Sequence, residues 1–153
     1  MSSELRELYQ EVILDHSKRP RNLREIVGGC KADGVNPLCG DKATVYLALD
    51  GDVVKDASFV GRGCSISTAS ASMMTEILKG KTIAEVQQMF ERFHGLVTTG
   101  EAACEGGFDI ADLDKLVVLA GVREFPMRVK CASLPWHTMK AALAGAGEEV
   151  STE

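Results

Sequence analysis

Cys39 and Asp41 stand two residues apart in N-P-L-C-G-D (36–41), Cys64 follows in G-R-G-C-S, and Cys131 in R-V-K-C-A-S. Three thiols and a carboxylate delivered from three separate turns are the ligand set of a metal site. As thiolates and carboxylate they close a tetrahedral shell that suits Zn²⁺. The aspartate is the informative member. An all-sulfur shell is the usual structural design, whereas an oxygen beside three softer sulfurs is easier to exchange. Four anions around one divalent cation remain net negative, which makes Arg128 and Lys42 candidate cationic neighbours. The competing reading treats the same cysteines as small buried hydrophobes, a common setting for free thiols. Spacing alone leaves both open.

The elements around these residues must position them. Leu5, Leu8, Tyr9, Val12 and Ile13 recur at helical spacing and predict an amphipathic helix over 3–15, stopped by Pro20. Lys18, Arg19 and Arg21 suit a solvated helix C-terminus, with docking onto an acidic partner as the sharper alternative. K-A-T-V-Y-L-A-L-D (42–50) and V-V-K-D-A-S-F-V (53–60) read as strands joined at Asp50-Gly51, with a third strand near 30–35. The loop 36–40 therefore lies between strands, shaped by Pro37 and Gly40. Beyond Gly61 and Gly63 the pattern turns helical and ends at Gly80, with an early face of Ser, Thr and Ala small enough for close packing. A helix over 82–93 opens with Thr82 as N-cap and Glu85 completing a capping box. Residues 94–109 have several glycines and no period, and are expected to form a variable loop; Asp112 then caps a short apolar helix. Ser133 is the expected N-cap, and Pro135 the first-turn residue, of a final helix reaching about Ala146. The fold class that follows is α/β of the α+β kind, a small antiparallel sheet with helices packed on it. It is read as a single domain over 1–146 with a disordered tail at 147–153.

Cys64 and Cys131 each precede a predicted helix, where unpaired N–H groups and the helix dipole favour an anion, so both thiols are expected to have lowered pKa values. Cys30 falls in a strand and Cys104 in the variable loop, and neither is placed in the site. His16 and His94 read as surface residues. His137, near Cys131, is a group that hydrogen-bonds a ligand or an alternative ligand itself on one reading, and an exposed helix residue on the favoured one. Gly80-Lys81-Thr82 resembles the end of a phosphate loop, but Thr75 occupies the position of the required glycine and the segment closes a helix. Serine catalysis around Ser67 lacks a histidine partner.

Composition narrows the class. Of 153 residues, 45% are hydrophobic and 25% charged, as in an ordinary soluble domain. A net charge of −5 with few aromatics argues against nucleic acid and against an anionic membrane surface. The start M-S-S-E-L-R-E-L has no cationic stretch leading an apolar run, and no apolar stretch reaches membrane-spanning length. A cytoplasmic protein is expected. Five cysteines, an odd number with no C-x-x-C, then read as metal or redox chemistry assembled by the tertiary fold, not as a disulfide frame.

N-P-L-C-G-D, then G-R-G-C-S-I-S-T-A-S-A-S-M-M, then F-P-M-R-V-K-C-A-S-L-P-W resembles the U-type iron–sulfur cluster assembly family, the group of IscU, SufU and the NifU N-terminal part. The likeness runs from D-H-S-K-R-P in the first helix to the last helix. It is closer to the SufU type than to the IscU type. Lys130 stands where IscU-type proteins have histidine before the last cysteine, F-P-M-R-V-K replaces their L-P-P-V-K chaperone-docking sequence, and 89–109 resembles the SufU-type insertion. W-H-T after the tryptophan departs from the family's polar or lysine continuation, which bears on the surroundings of Cys131.

The resemblance implies a zinc-dependent sulfur acceptor for a cysteine desulfurase of the SufS-like kind, feeding a downstream iron–sulfur scaffold. By motif position the Zn²⁺ ligands would be Cys39, Asp41, Cys64 and Cys131. Cys39 would be the acceptor, leaving zinc when a desulfurase histidine takes its place, and Arg128 would steady the anionic site. Two other functions are carried alongside. The cysteines suit a transient [2Fe–2S] cluster on a scaffold equally well, and a purely structural zinc domain would unfold without metal yet tolerate loss of Cys39.

Overall fold

The structure is a computed structural model and describes residues 3–37, 40–98, 125–144 and 150–151. Helix α1 (Ser3–Lys18) leads to a sheet of β1 (Cys30–Asn36), β2 (Asp41–Asp50) and β3 (Val53–Arg62). Helices α2 (Ser65–Leu78), α3 (Ile83–Thr98) and α4 (Pro126–Ala144) follow, and a two-residue strand β4 (Val150–Ser151) ends the described chain. The spatial order is β3-β2-β1-β4. The first three strands are antiparallel, and β4 runs parallel to β1 through Gly34↔Val150 and Val35↔Ser151. Disorder was the expectation for 147–153; at Val150–Ser151 the tail instead occupies the open edge of β1, whose N–H and C=O groups need partners.

The β2–β3 hairpin turns through Gly51 and Asp52, since Asp50 pairs with Val53. Gly51 has φ +63°, a left-handed conformation that glycine adopts without steric cost. Alternation along the strands sends Ala43, Val45, Leu47, Ala57 and Phe59 to one face, where α2 and α4 cover them. Trp136 of α4 and Phe93 of α3 stack at 4.5 Å within that layer, both fully buried. Small residues set the spacing. Ser67, Ala69, Ser70, Ala71 and Ser72 of α2 are all buried, and Ser70 Oγ donates to the Ala132 carbonyl of α4 at 2.5 Å. At Gly34 a Cβ would collide with Thr138, so glycine lets β1 meet α4 at close range.

Two helix boundaries differ from expectation. Helix α3 runs on to Thr98, so 94–98 are helical; Cys104 and the expected helix after Asp112 lie outside the described residues. The last helix starts at Pro126, not after Ser133. The Phe125 carbonyl accepts the Arg128 and Val129 N–H groups, and Pro126 supplies the preset φ of a first helical residue. Ser133 is therefore interior and donates its hydroxyl to the Val129 carbonyl at 2.6 Å. Pro135 is interior too, with no N–H to return four residues back. Among the described residues no helix is long and apolar enough to cross a membrane.

Candidate metal centre

Asp41 opens β2 and is fully buried. Its Oδ1 accepts the Cys64 N–H at 2.9 Å, and its Oδ2 lies 3.8 Å from Cys64 Sγ. Cys64 is the N-cap of α2, extended at φ −70° and ψ 168°, and half-buried. Its carbonyl accepts the Thr68 N–H at 3.1 Å and the Ser67 hydroxyl at 3.2 Å, which anchors the cap from its backbone side and leaves the sulfur facing Asp41. Gly63 makes the approach possible, because a Cβ there would sit 2.6 Å from Asp41 Oδ1. Cys131 comes from α4 and is fully buried. One ligand atom each from Asp41, Cys64 and Cys131 lie within 4.8 Å of one another.

A tetrahedral Zn²⁺ with bonds of about 2.0–2.3 Å holds its ligand atoms roughly 3.5–3.8 Å apart. The three donors therefore stand close to ligand spacing, and their chemistry, two thiols and a carboxylate, fits zinc. Arg128 supplies the cation. The thiolate charges of Cys64 and then Cys131 hold its guanidinium above the ordinary arginine range, with hydrogen bonds to both sulfurs adding to the effect.

Cys39 lies outside the described residues. Chain length alone keeps its Cα within about 7 Å of that of Asp41. The loop that carries it is closed at its base, where Asn36 and Asp41 pair across the strands and the Asn36 carbonyl accepts the Gly40 N–H at 2.9 Å. Gly40, expected to help shape that loop, takes φ +72°, a left-handed conformation that glycine adopts without steric cost.

The expectation of a helix-terminal thiol holds in position for Cys64 and fails for Cys131, which lies inside α4 because the helix begins five residues earlier. Lys42 is exposed on the face of β2 opposite Asp41, so of the two candidate cations only Arg128 reaches the sulfurs. His137 does not join the group. It packs edge-on to Phe90 at 5.1 Å and to His94 at 6.0 Å, half-buried between α3 and α4. His94 is exposed, as expected, but His16 is not a plain surface residue: its Nδ1 shares a 2.8 Å hydrogen bond with Ser72 Oγ and its Nε2 is 3.8 Å from Glu76. Cys30 begins β1, pairs with Leu47 and packs on the core.

Sequence reasoning missed Asn36. It is fully buried and directs Nδ2 at Cys131 Sγ, 3.8 Å away. Its place at the head of N-P-L-C-G-D, directly before a proline, was the available signal.

Residues 8–132 match the model of the NifU-like N terminal domain. The chain belongs to the NifU-like N-terminal domain family. This NifU-like domain is 43% identical over 137 residues to the zinc-dependent sulfurtransferase SufU of Bacillus subtilis, covering 90% of each chain. It is 38% identical over 141 residues to the iron–sulfur cluster assembly scaffold protein IscU of Streptococcus pyogenes, covering 92% of this chain and 86% of that one. A crystal structure titled as a scaffold protein for the SUF system from Fervidobacterium islandicum superposes with a TM-score of 0.78 at 36% identity, over 93% of this chain and 99% of the other. The NifU-like N-terminal structure from Brucella abortus shares the fold, with a TM-score of 0.80 at 21% identity.

Proposed function

We propose that this NifU-like domain accepts sulfur from the persulfide of a SufS-like cysteine desulfurase and passes it to a downstream iron–sulfur scaffold. The observation that carries the reading is the meeting of Asp41, Cys64 and Cys131 within 4.8 Å, one loop from Cys39. Cys39 completes a ligand set of Cys39, Asp41, Cys64 and Cys131 for Zn²⁺, which when bound would keep the thiols in their thiolate form. Burial of Cys131 and the motif position of Cys39 support distinct roles for the two sulfurs. Cys131, with no exposed surface, is a fixed ligand, and Cys39, on the connection between β1 and β2, is the acceptor. Arg128 balances the anionic cluster from its exposed side.

The Cys39 thiolate attacks the terminal sulfur of the enzyme's persulfide. A new S–S bond forms on Cys39 while the enzyme's S–S bond breaks, and the enzyme cysteine departs as a thiolate. One persulfide replaces another, so no external oxidant or reductant enters. Reduced, reactive thiols of this kind belong in the cytoplasm.

Anaerobic desulfurase turnover measured with and without the zinc-loaded domain tests the proposal. A several-fold rise in rate that disappears with Cys39→Ala, while the variant stays folded, is the expected result. A rise that survives Cys39→Ala removes the assigned acceptor. The scaffold reading is favoured by the names of the Streptococcus pyogenes relative and of a Thermotoga maritima relative 36% identical over 137 residues, both iron–sulfur cluster assembly scaffold proteins. It predicts no rise in turnover and a transferable [2Fe–2S] cluster after reconstitution.

A further inference from the structure

Asn36 meets the candidate centre at three points. Through strand pairing it stands opposite Asp41. Through its carbonyl, 2.9 Å from the Gly40 N–H, it closes the loop that carries Cys39. Through its side chain it aims Nδ2 at Cys131 Sγ, 3.8 Å away, a hydrogen-bond distance for sulfur. The amide is fully buried, and its Oδ1 has no partner among the described residues. A buried amide held at one end only is costly, and the end that is held faces a ligand sulfur.

We infer that Asn36 is a positioning residue of the metal centre, whose N–H···S bond to Cys131 fixes that sulfur as the permanent, non-transferring ligand. The inference rests on the metal-site reading above. Donation to a coordinated thiolate draws electron density from sulfur, lowers its nucleophilicity and fixes its direction. Cys131 is thereby kept as a ligand while sulfur is received elsewhere. Because the same residue ends β1 and closes the loop, the fixed ligand and the acceptor loop are tied to one point of the backbone.

Two substitutions test this. Asn36→Leu removes the donor and the unpartnered oxygen together at similar volume, and Asn36→Asp keeps the shape but replaces the donor with a carboxylate. Zn²⁺ affinity would be measured by competition with a chromophoric chelator, and the thiolate-to-metal charge-transfer band would be recorded with Co²⁺ as probe. Metal-free circular dichroism and thermal unfolding would be run in parallel. The expected result is a metal-free fold close to wild type for Asn36→Leu, Zn²⁺ affinity lower by about 10–100-fold, and a band shifted to lower energy, with a larger loss of affinity for Asn36→Asp. Unchanged affinity and band overturn the role, and so does a fall in affinity with an unmoved band. Collapse of the metal-free fold in both variants marks Asn36 as a framework residue and overturns it too. A wild-type protein with no thiolate band, or a Cys131→Ser variant that binds Zn²⁺ as tightly as wild type, defeats the underlying metal-site reading instead.

Discussion

Gly63 precedes Cys64, and a Cβ at that position would meet Asp41 Oδ1 at 2.6 Å and Ser67 Oγ at 2.5 Å. Neither neighbour can withdraw freely. Asp41 is bonded to the Cys64 N–H, and Ser67 to the Cys64 carbonyl. A single methyl group is therefore expected to push the carboxylate off its line to Cys64. Gly63→Ala should destabilise the fold by about 1–3 kcal/mol, the range for overpacking, and weaken Zn²⁺ binding; chemical denaturation and chelator competition check the two effects separately. Glycine at 63 is thus a consequence of where the aspartate must sit.

At the scale of elements, α3 is tied down at its start. Thr82 and Glu85 exchange hydrogen bonds of 3.2 Å in a reciprocal capping box, as its sequence announced. The Ile83 N–H bonds the Asp52 carbonyl at 2.7 Å and the Val54 N–H bonds the Lys81 carbonyl at 2.8 Å, which joins the cap to the β2–β3 turn. Thr82→Ala should cost about 1 kcal/mol in equilibrium unfolding. The α3–α4 contact at His137 is expected to respond to pH. Burial first, and then the charges of His94 and Lys140, hold His137 below the ordinary histidine pKa. The unfolded chain then binds its proton more readily than the folded one. The contribution of neutral His137 is fully present above about pH 6.5 and is lost as pH falls from there towards the lower folded pKa. Thermal midpoints measured from pH 7.5 down to 5 should drop for the wild type and drop less for His137→Gln.

For the whole molecule, the core and the candidate metal centre are largely separate. Trp136, Phe93, Met89, Leu47 and Val45 are buried irrespective of any ion, so chelation should leave a folded protein of lower stability. Zinc binding to the folded state alone should raise stability with free Zn²⁺, by about 2.7 kcal/mol at 100 times the dissociation constant. Calorimetry across a Zn²⁺ titration, with a chelated sample as baseline, checks this. Unfolding on chelation would instead support the purely structural zinc domain.

Much of this was written along the chain. Alternating apolar residues in 42–50 and 53–60 with Asp-Gly between them specify a hairpin, because the turn geometry and the strand period are local properties. The capping box, the small-residue face of α2, and Cys64 at a helix start were legible for the same reason. What local pattern decided wrongly was the start of α4. Val129 and Pro135 both disfavour an interior helix position, yet burial of Cys131, Leu134, Trp136 and Met139 against the sheet outweighs them. Only the tertiary structure decided that Arg128 and not Lys42 faces the sulfurs, that His137 turns to α3, and that Asn36 points at Cys131. Each depends on contacts between residues far apart in sequence, such as the 95 positions separating Asn36 from Cys131. The sequence alone determined which atoms are available to bind a metal. The packing of α2 and α4 on the sheet determined that Asp41, Cys64 and Cys131 meet, because sequence spacing has no bearing on distance once the chain folds back on itself.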